Sequence, residues 1–595
     1  MRSTRRREPD LPPTSKQASR FDVGIGPFYL SLWLLLLFGC RNPYPGPRFR
    51  GAGSSTPHHG GTITFAFDTD LRSLDPHIAY DEISGAGVHF VFDTLVDYAP
   101  GSGEVSASLA ERWEVSPDGR VFTFHLRPNV RFHNGRTLVA DDIRQSFERM
   151  LDPRAIPCPG TSFYHLIEGF DEFQEHREPH VRGIVVLDPL TVQFRLTQPD
   201  QTFLNAMAMP FAAPVPMEAV RAAGRDGFSQ APVGTGPFIV ERWEMGSRIV
   251  FRRNPHYWRA GLPYLDGIVL EMGIARHLQF MRFQRGDIDY AHTGSIITAD
   301  HVWLHNQAAW QPYLHDTADI SSYGIAMNVE VPPWNNVHLR RAVTWAIDRE
   351  SMCRARNNRI RPLGGLYPPG LPGYDPHLPG AQHYDPARAR EEMALAGYPN
   401  GLPDEQELWL TEGDAGLYYG QLVQADLARI GIRIRLRQAS FAVFLETTER
   451  RGAVGLSMSA WSQDFPDPSN FIDTLFHSRS IQPENSQNAS FYSNPQLDQL
   501  LDRARVEANH DRRIGMYQEA ERVLLNDAPW AFLYYPIKTQ VMQPYVRGFL
   551  PSPVWAHDLR EVWLDLPRQR FARRESAIRT DWASLASFAM PWRGR

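Results

Sequence analysis

Residues 417–438 read LYYGQLVQADLARIGIRIRLRQ. The spacing predicts a helix that Gly431 ends, followed at once by a strand whose Ile432, Ile434 and Leu436 share one face. A helix passing into a strand through a single glycine is α/β construction. The texture is the same on either side. In WNNVHLRRAVTWAIDRE (334–350) Asn336 is an N-cap, with Leu339, Val343, Ala346 and Ile347 along one helix face. In DPARAREEMALAGYPNG (385–401) Asp385 caps, Pro386 takes the first helical position and Gly397 stops the helix. Residues 494–535 supply two amphipathic helices and a final aromatic strand.

The amino-terminal half reads differently. GTITFAFDTD (61–70) alternates Ile63, Phe65 and Phe67, a strand. Residues 121–150 give strand, turn and helix: Phe122, Phe124 and Leu126 alternate, His133-Asn134-Gly135 is turn chemistry, and Asp141 is placed to cap a helix carrying Ile143 and Phe147. That is an α+β unit. No internal repeat is visible.

At 595 residues the chain is too long for one core, and about three to four compact units are expected. The net charge of −5, with acids and arginines interspersed, argues against a nucleic-acid binder, which needs a basic face to displace counterions. Lys16 and Lys538 are the only lysines, and neither sits in a Gly-Lys-Ser/Thr phosphate loop. There is no HExxH, no GxSxG and no GxGxxG after a strand, so no enzyme class is indicated and no cofactor is expected. Cys40, Cys158 and Cys353 lack metal or disulfide spacing. His176 and His180 stand four apart, but Pro179 interrupts the helix that would align them as metal ligands.

The first forty residues have a basic start, an eleven-residue apolar run, Phe28 to Phe38, and then Gly39-Cys40. The run is too short to span a bilayer and suits an export signal. LFGC resembles the bacterial lipoprotein cleavage box, in which the cysteine becomes the lipidated first residue. An ordinary signal beside an incidental thiol is the other reading. Residues 41–60, rich in Pro, Gly and Arg, read as a flexible linker.

Several stretches together resemble the bacterial extracytoplasmic solute-binding proteins of the peptide/nickel class (family 5, oligopeptide/dipeptide-binding type). They are SLDPHIAYDEISGAGVHFVFDTLV (73–96), the run from Leu109 to Met150, VGTGPFIVERW (233–243), RNPHYW (253–258), the run from Met327 to Glu350, WSQDFPDPSNF (461–471), NPQLDQLLDRA (494–504) and DAPWAFLYY (527–535), in the family's order. The resemblance implies a two-lobed α/β fold of the type II periplasmic-binding-protein kind, with an extra α+β subdomain and a hinge between lobes. It places lobe I at 61–97, 185–275 and 531–568, the extra subdomain at 98–184, lobe II at 276–530 and an Arg-rich tail at 569–595. It implies a monomeric receptor of an ABC importer, lipid-anchored in the periplasm or on the outer face of the cell membrane. Such a receptor hands peptides to a permease and its ATPase. A receptor for nickel or another non-peptide solute, or a sensory binding protein, is the alternative.

Within 461–471, Asp467 between two prolines reads as a structural turn residue. Asp464, three residues after Trp461 and next to Phe465, has two readings: a structural ion pair with a nearby arginine, or a site waiting for a cation from the ligand. In the family's peptide receptors an Asp three residues after a Trp binds the ligand's α-ammonium, and the resemblance carries that role to Asp464. It also carries the peptide-pairing strand edges to Ala460 and Ser462 on one lobe and to Tyr80 and Glu82 on the other. Most of the remaining motifs read as turns and close passages, Gly234 and Gly236 among them.

Overall fold

The strand alternation at Ile63 and Phe65 buries both side chains fully, and Thr62–Ala66 pairs in parallel with Gly267–Glu271. The computed structural model describes residues 46–47, 51–555 and 557–566. The signal, Cys40 and the tail at 569–595 lie outside them. Arg248–Arg253 and Phe238–Glu244 complete a four-stranded sheet in the order 62–66, 267–271, 248–253, 238–244. Its core also takes Phe280, Phe283 and Trp310, and the returning residues Val541 to Leu566.

A second sheet is antiparallel, in the order 110–115, 121–126, 191–195, 184–188. Phe122, Phe124 and Leu126 point inward as their spacing requires, packing with Phe194 and with Phe147 of the helix Ala140–Leu151. Val139, not Asp141, is that helix's N-cap. The reason is Asp142, which accepts from the Val139 N–H and takes both terminal nitrogens of Arg136, while Asp141 faces Arg144 one turn on.

The third unit is built on the large sheet, whose main path runs 290–291, 530–542, 321–327, 456–462, 406–411, 434–439. Period-two alternation sends Ile325, Met327, Ala531 and Leu533 to one face and Ala326, Trp530 and Phe532 to the other. Helices cover both faces: Val337–Ala346 and Asp414–Ala428 lie on the first, Pro495–Val506 and His510–Asp527 on the second. Gly431 has φ 81° and Ile434–Ala439 follows it as a strand. Asn336 and Asp385 cap their helices through side-chain oxygens.

Two stretches cross between the cores. Trp530–Met542 starts in the large-sheet core and ends with Val541 and Met542 in the first core, pairing on the way with Ser321–Met327, Leu314–Ala318 and Tyr290–Ala291. Leu314–Met327 makes the return crossing. The packing moves three of the expected boundaries. Residues 276–313 join the first core, so the second lobe begins near residue 320 instead of 276. The extra subdomain extends past 184, because strands 184–188 and 191–195 belong to its sheet. The expected linker is docked over 51–60: Ala52 N–H donates to the Asp565 carbonyl at 2.9 Å, Gly53 N–H to Asp565 Oδ2 at 2.9 Å, and Gly60 N–H to the Tyr264 carbonyl at 2.9 Å.

Buried ion pairs join segments far apart in the chain. Asp75 of SLDP receives Arg149 at 3.0 and 2.5 Å, and Asp97 receives Arg560 at 2.5 Å. Gly234 and Gly236 press against Val91, where a Cβ on Gly234 would stand 2.1 Å from the Val91 carbonyl oxygen. A side chain there would force the helix Glu82–Val91 away from the sheet.

Candidate ligand-binding cleft

Strand Leu456–Ser462 forms one wall of the cleft, and its hydrogen-bonding sense follows from its two ends. Gly455 accepts from Asn328 N–H and Gln463 N–H donates to Ile320, both toward strand 321–327. Successive residues of an antiparallel strand turn their N–H and C=O groups to alternate sides. Ser457, Ser459 and Trp461 therefore bond strand 321–327, while Met458, Ala460 and Ser462 aim their backbone groups the other way. On that other side, strand 406–411 is paired only at Leu456 and Ser457. Ala460 and Ser462, both exposed, thus present an open strand edge.

The opposite wall departs from expectation. Tyr80 and Glu82 form no strand edge; Tyr80 lies in a loop and Glu82 opens the helix Glu82–Val91. The cause is Asp81, whose carboxylate accepts from Ser84 N–H and starts the helix one residue after it.

Asp464 stands where the walls meet. Its Oδ1 accepts from the Tyr80 hydroxyl at 2.6 Å and its Oδ2 from Asn470 Nδ2 at 2.9 Å. Asn470 Oδ1 in turn accepts from Asp464 N–H at 2.8 Å and from Trp461 Nε1 at 3.3 Å. Among the described residues no Arg, Lys or His pairs with this carboxylate, so the ion-pair reading of Asp464 falls away. Burial pushes its pKa above the usual carboxylate range, against the opposing pull of the bonds from Asn470 and Tyr80. Burial, with the Asp464 charge alongside, also raises the Tyr80 phenol.

The neighbouring acid has the structural role expected of it, with one addition. Asp467 Oδ1 accepts from Ser469 N–H and Oγ, closing the turn, and both Asp467 oxygens receive Arg513 at 2.7 Å. Burial works to raise the Asp467 carboxyl, and the Arg513 guanidinium overrides it and holds the group low.

Two cavities flank Asp464 and share Tyr80. One, of about 430 Å³, is lined among others by Glu82, His89, Asp319, Lys538, Trp555 and His557. The other, of about 1030 Å³, has Phe163, Tyr323, Tyr419, Trp461 and Tyr534 among its walls, with Ala460 of the open edge, while Ser462 lines the smaller cavity. Lys538 donates to Asp319 at 2.9 Å. Sequence reasoning missed Asn470, Arg513 and the Asp319–Lys538 pair. Asn470 lies six residues after Asp464 in the same quoted stretch, whereas Arg513 and Asp319 carry no local signal.

Two lobes joined by crossing strands, with a cleft between them, are the architecture of a two-lobed binding protein. The family model described as "Bacterial extracellular solute-binding proteins, family 5 Middle" matches residues 104–483, and the chain belongs to that family. Among curated proteins it is similar to "Di/tripeptide-binding protein 2" of Pseudomonas aeruginosa, at 30% identity over 81% of this chain and 90% of that one. It is similar to "Heme-binding protein A" of Haemophilus influenzae at 27%, over 78% and 85% of the two chains. Among solved structures it resembles the periplasmic binding protein DppA from Helicobacter pylori in complex with peptide STSA. There the TM-score is 0.70 and the identity 26%, over 85% of this chain and 99% of that one. The fold is accordingly the two-lobed type II periplasmic-binding-protein fold.

Proposed function

We propose that the chain is the substrate-binding receptor of an ABC importer, capturing di- or oligopeptides in the interlobe cleft and presenting them to a membrane permease and its ATPase. The observation that carries this reading is Asp464, a partly buried carboxylate whose partners among the described residues are all neutral. A peptide's terminal ammonium supplies the missing charge, and the amides beyond it pair with the open edge at Ala460 and Ser462 without reading side chains. Tyr80 orients the carboxylate from the other lobe. The relatives named as peptide binders support the assignment. The receptor acts as a monomer, binds without turnover and releases its peptide intact.

Export and anchoring rest on the sequence. The apolar run to Phe38 directs the chain across the cytoplasmic membrane, and lipidated Cys40 holds it in the periplasm or at the outer face. Mass spectrometry of ligand released from protein purified from a peptide-rich culture tests the reading: short peptides are expected, and haem, a sugar or a metal complex as the sole bound solute overturns it.

A further inference from the structure

The cleft is acidic on both sides of Asp464. Asp81, Glu82 and Asp319 line the smaller cavity, and Glu412 and Glu449 line the larger. Lys538 is the single Lys or Arg among the described lining residues of either, and Asp319 already neutralises it. Burial holds His557 well below its usual range and lowers His89, so neither adds positive charge at neutral pH. Arg356 lies over the Tyr419 ring at 5.3 Å and is not part of the lining.

Glu449 is the most telling of these acids. It is the C-cap residue of the helix Phe441–Thr448, where the dipole disfavours a negative charge. Among the described residues its carboxylate has neither an ion pair nor a hydrogen bond, and burial raises its pKa with no opposing contribution. The cavity it faces is walled by aromatic rings, which attract cations through their π faces. A second positive charge on a ligand would give Glu449 a partner, whereas a ligand carboxylate meets no unpaired Lys or Arg among the described lining residues of either cavity.

We propose that the cleft selects peptides carrying a Lys or Arg side chain in addition to the free amino terminus, that this second cation sits against Glu449, and that the ligand's carboxyl end goes unrecognised. The inference rests on the peptide reading above. Isothermal titration of wild-type protein with Ala-Lys-Ala-amide, Ala-norleucine-Ala-amide and free-acid Ala-Lys-Ala tests it. The lysine peptide is expected to bind about tenfold tighter than its uncharged norleucine counterpart, roughly the effect of one charge-assisted contact, and amidation is expected to cost less than twofold. In Glu449→Gln the lysine-to-norleucine ratio falls toward one, with folding checked by the melting temperature. Equal affinity for the lysine and norleucine peptides in wild type overturns the proposal, as does a free acid bound tenfold tighter than its amide, or an undiminished ratio in folded Glu449→Gln. If all three peptides bind alike and N-acetylation abolishes their binding, this inference falls while the peptide reading stands; if none binds, both fall.

Discussion

At the scale of single residues, Asp464 is a carboxylate held by a tyrosine and an asparagine and, among the described residues, by no cation. Asp464→Asn keeps the shape and removes the charge, so peptide affinity is expected to drop about 100-fold, roughly 3 kcal/mol for losing a half-buried charge pair, with little change in the melting temperature. Calorimetry beside a thermal melt checks both halves. The raised Asp464 pKa fixes the sign of a pH effect. Ammonium binding needs the ionised form, so affinity falls on acidification and begins to fall above the ordinary carboxylate range. In Tyr80→Phe a donor that favours ionisation is gone, and the acid limb of the affinity–pH curve is expected to move to higher pH. Trp461 and Asp464 were legible because they lie three apart in one motif. The Tyr80 hydroxyl was not, since it reaches Asp464 from 384 residues away and no local spacing encodes a contact across a cleft.

At the scale of elements, the loop that carries Asp464 is pinned by the buried Asp467–Arg513 pair. Arg513→Met leaves Asp467 buried without its partner, and unfolding free energy is expected to fall by about 3–5 kcal/mol, read by urea denaturation. The wild-type pair also fixes a pH dependence: the Asp467 carboxyl is held below its unfolded value. Its contribution is therefore complete above that unfolded value and lost as pH falls through the folded one. Strands and helices were readable where one physical rule acts locally. Period-two burial at Phe122, Phe124 and Leu126, the caps at Asn336 and Asp385, and the glycine at 431 are such cases. The helix start at Ala140 and the helical turn at Glu82 were misplaced because adjacent acids compete for the capping role. In each case the winner is set by a distant or backbone partner: Arg136 for Asp142, Ser84 N–H for Asp81.

At the scale of the whole molecule, the unit boundaries were the least legible feature. A strand such as Trp530–Met542 belongs to two cores at once, and residues 276–313 show their allegiance only through what they pack against. The same crossing strands give the lobes a hinge, so a ligand that touches both walls favours the closed arrangement by mass action. A peptide at 100 times its Kd is expected to stabilise the protein by about 2.7 kcal/mol, seen as a rise in melting temperature that Asp464→Asn largely removes. The most direct measurement is calorimetric titration with Ala-Lys-Ala-amide and with the same peptide acetylated at its amino end. A free amino terminus bound at least 100-fold more tightly than the acetylated one is the predicted result; equal dissociation constants for the two would contradict the role given to Asp464.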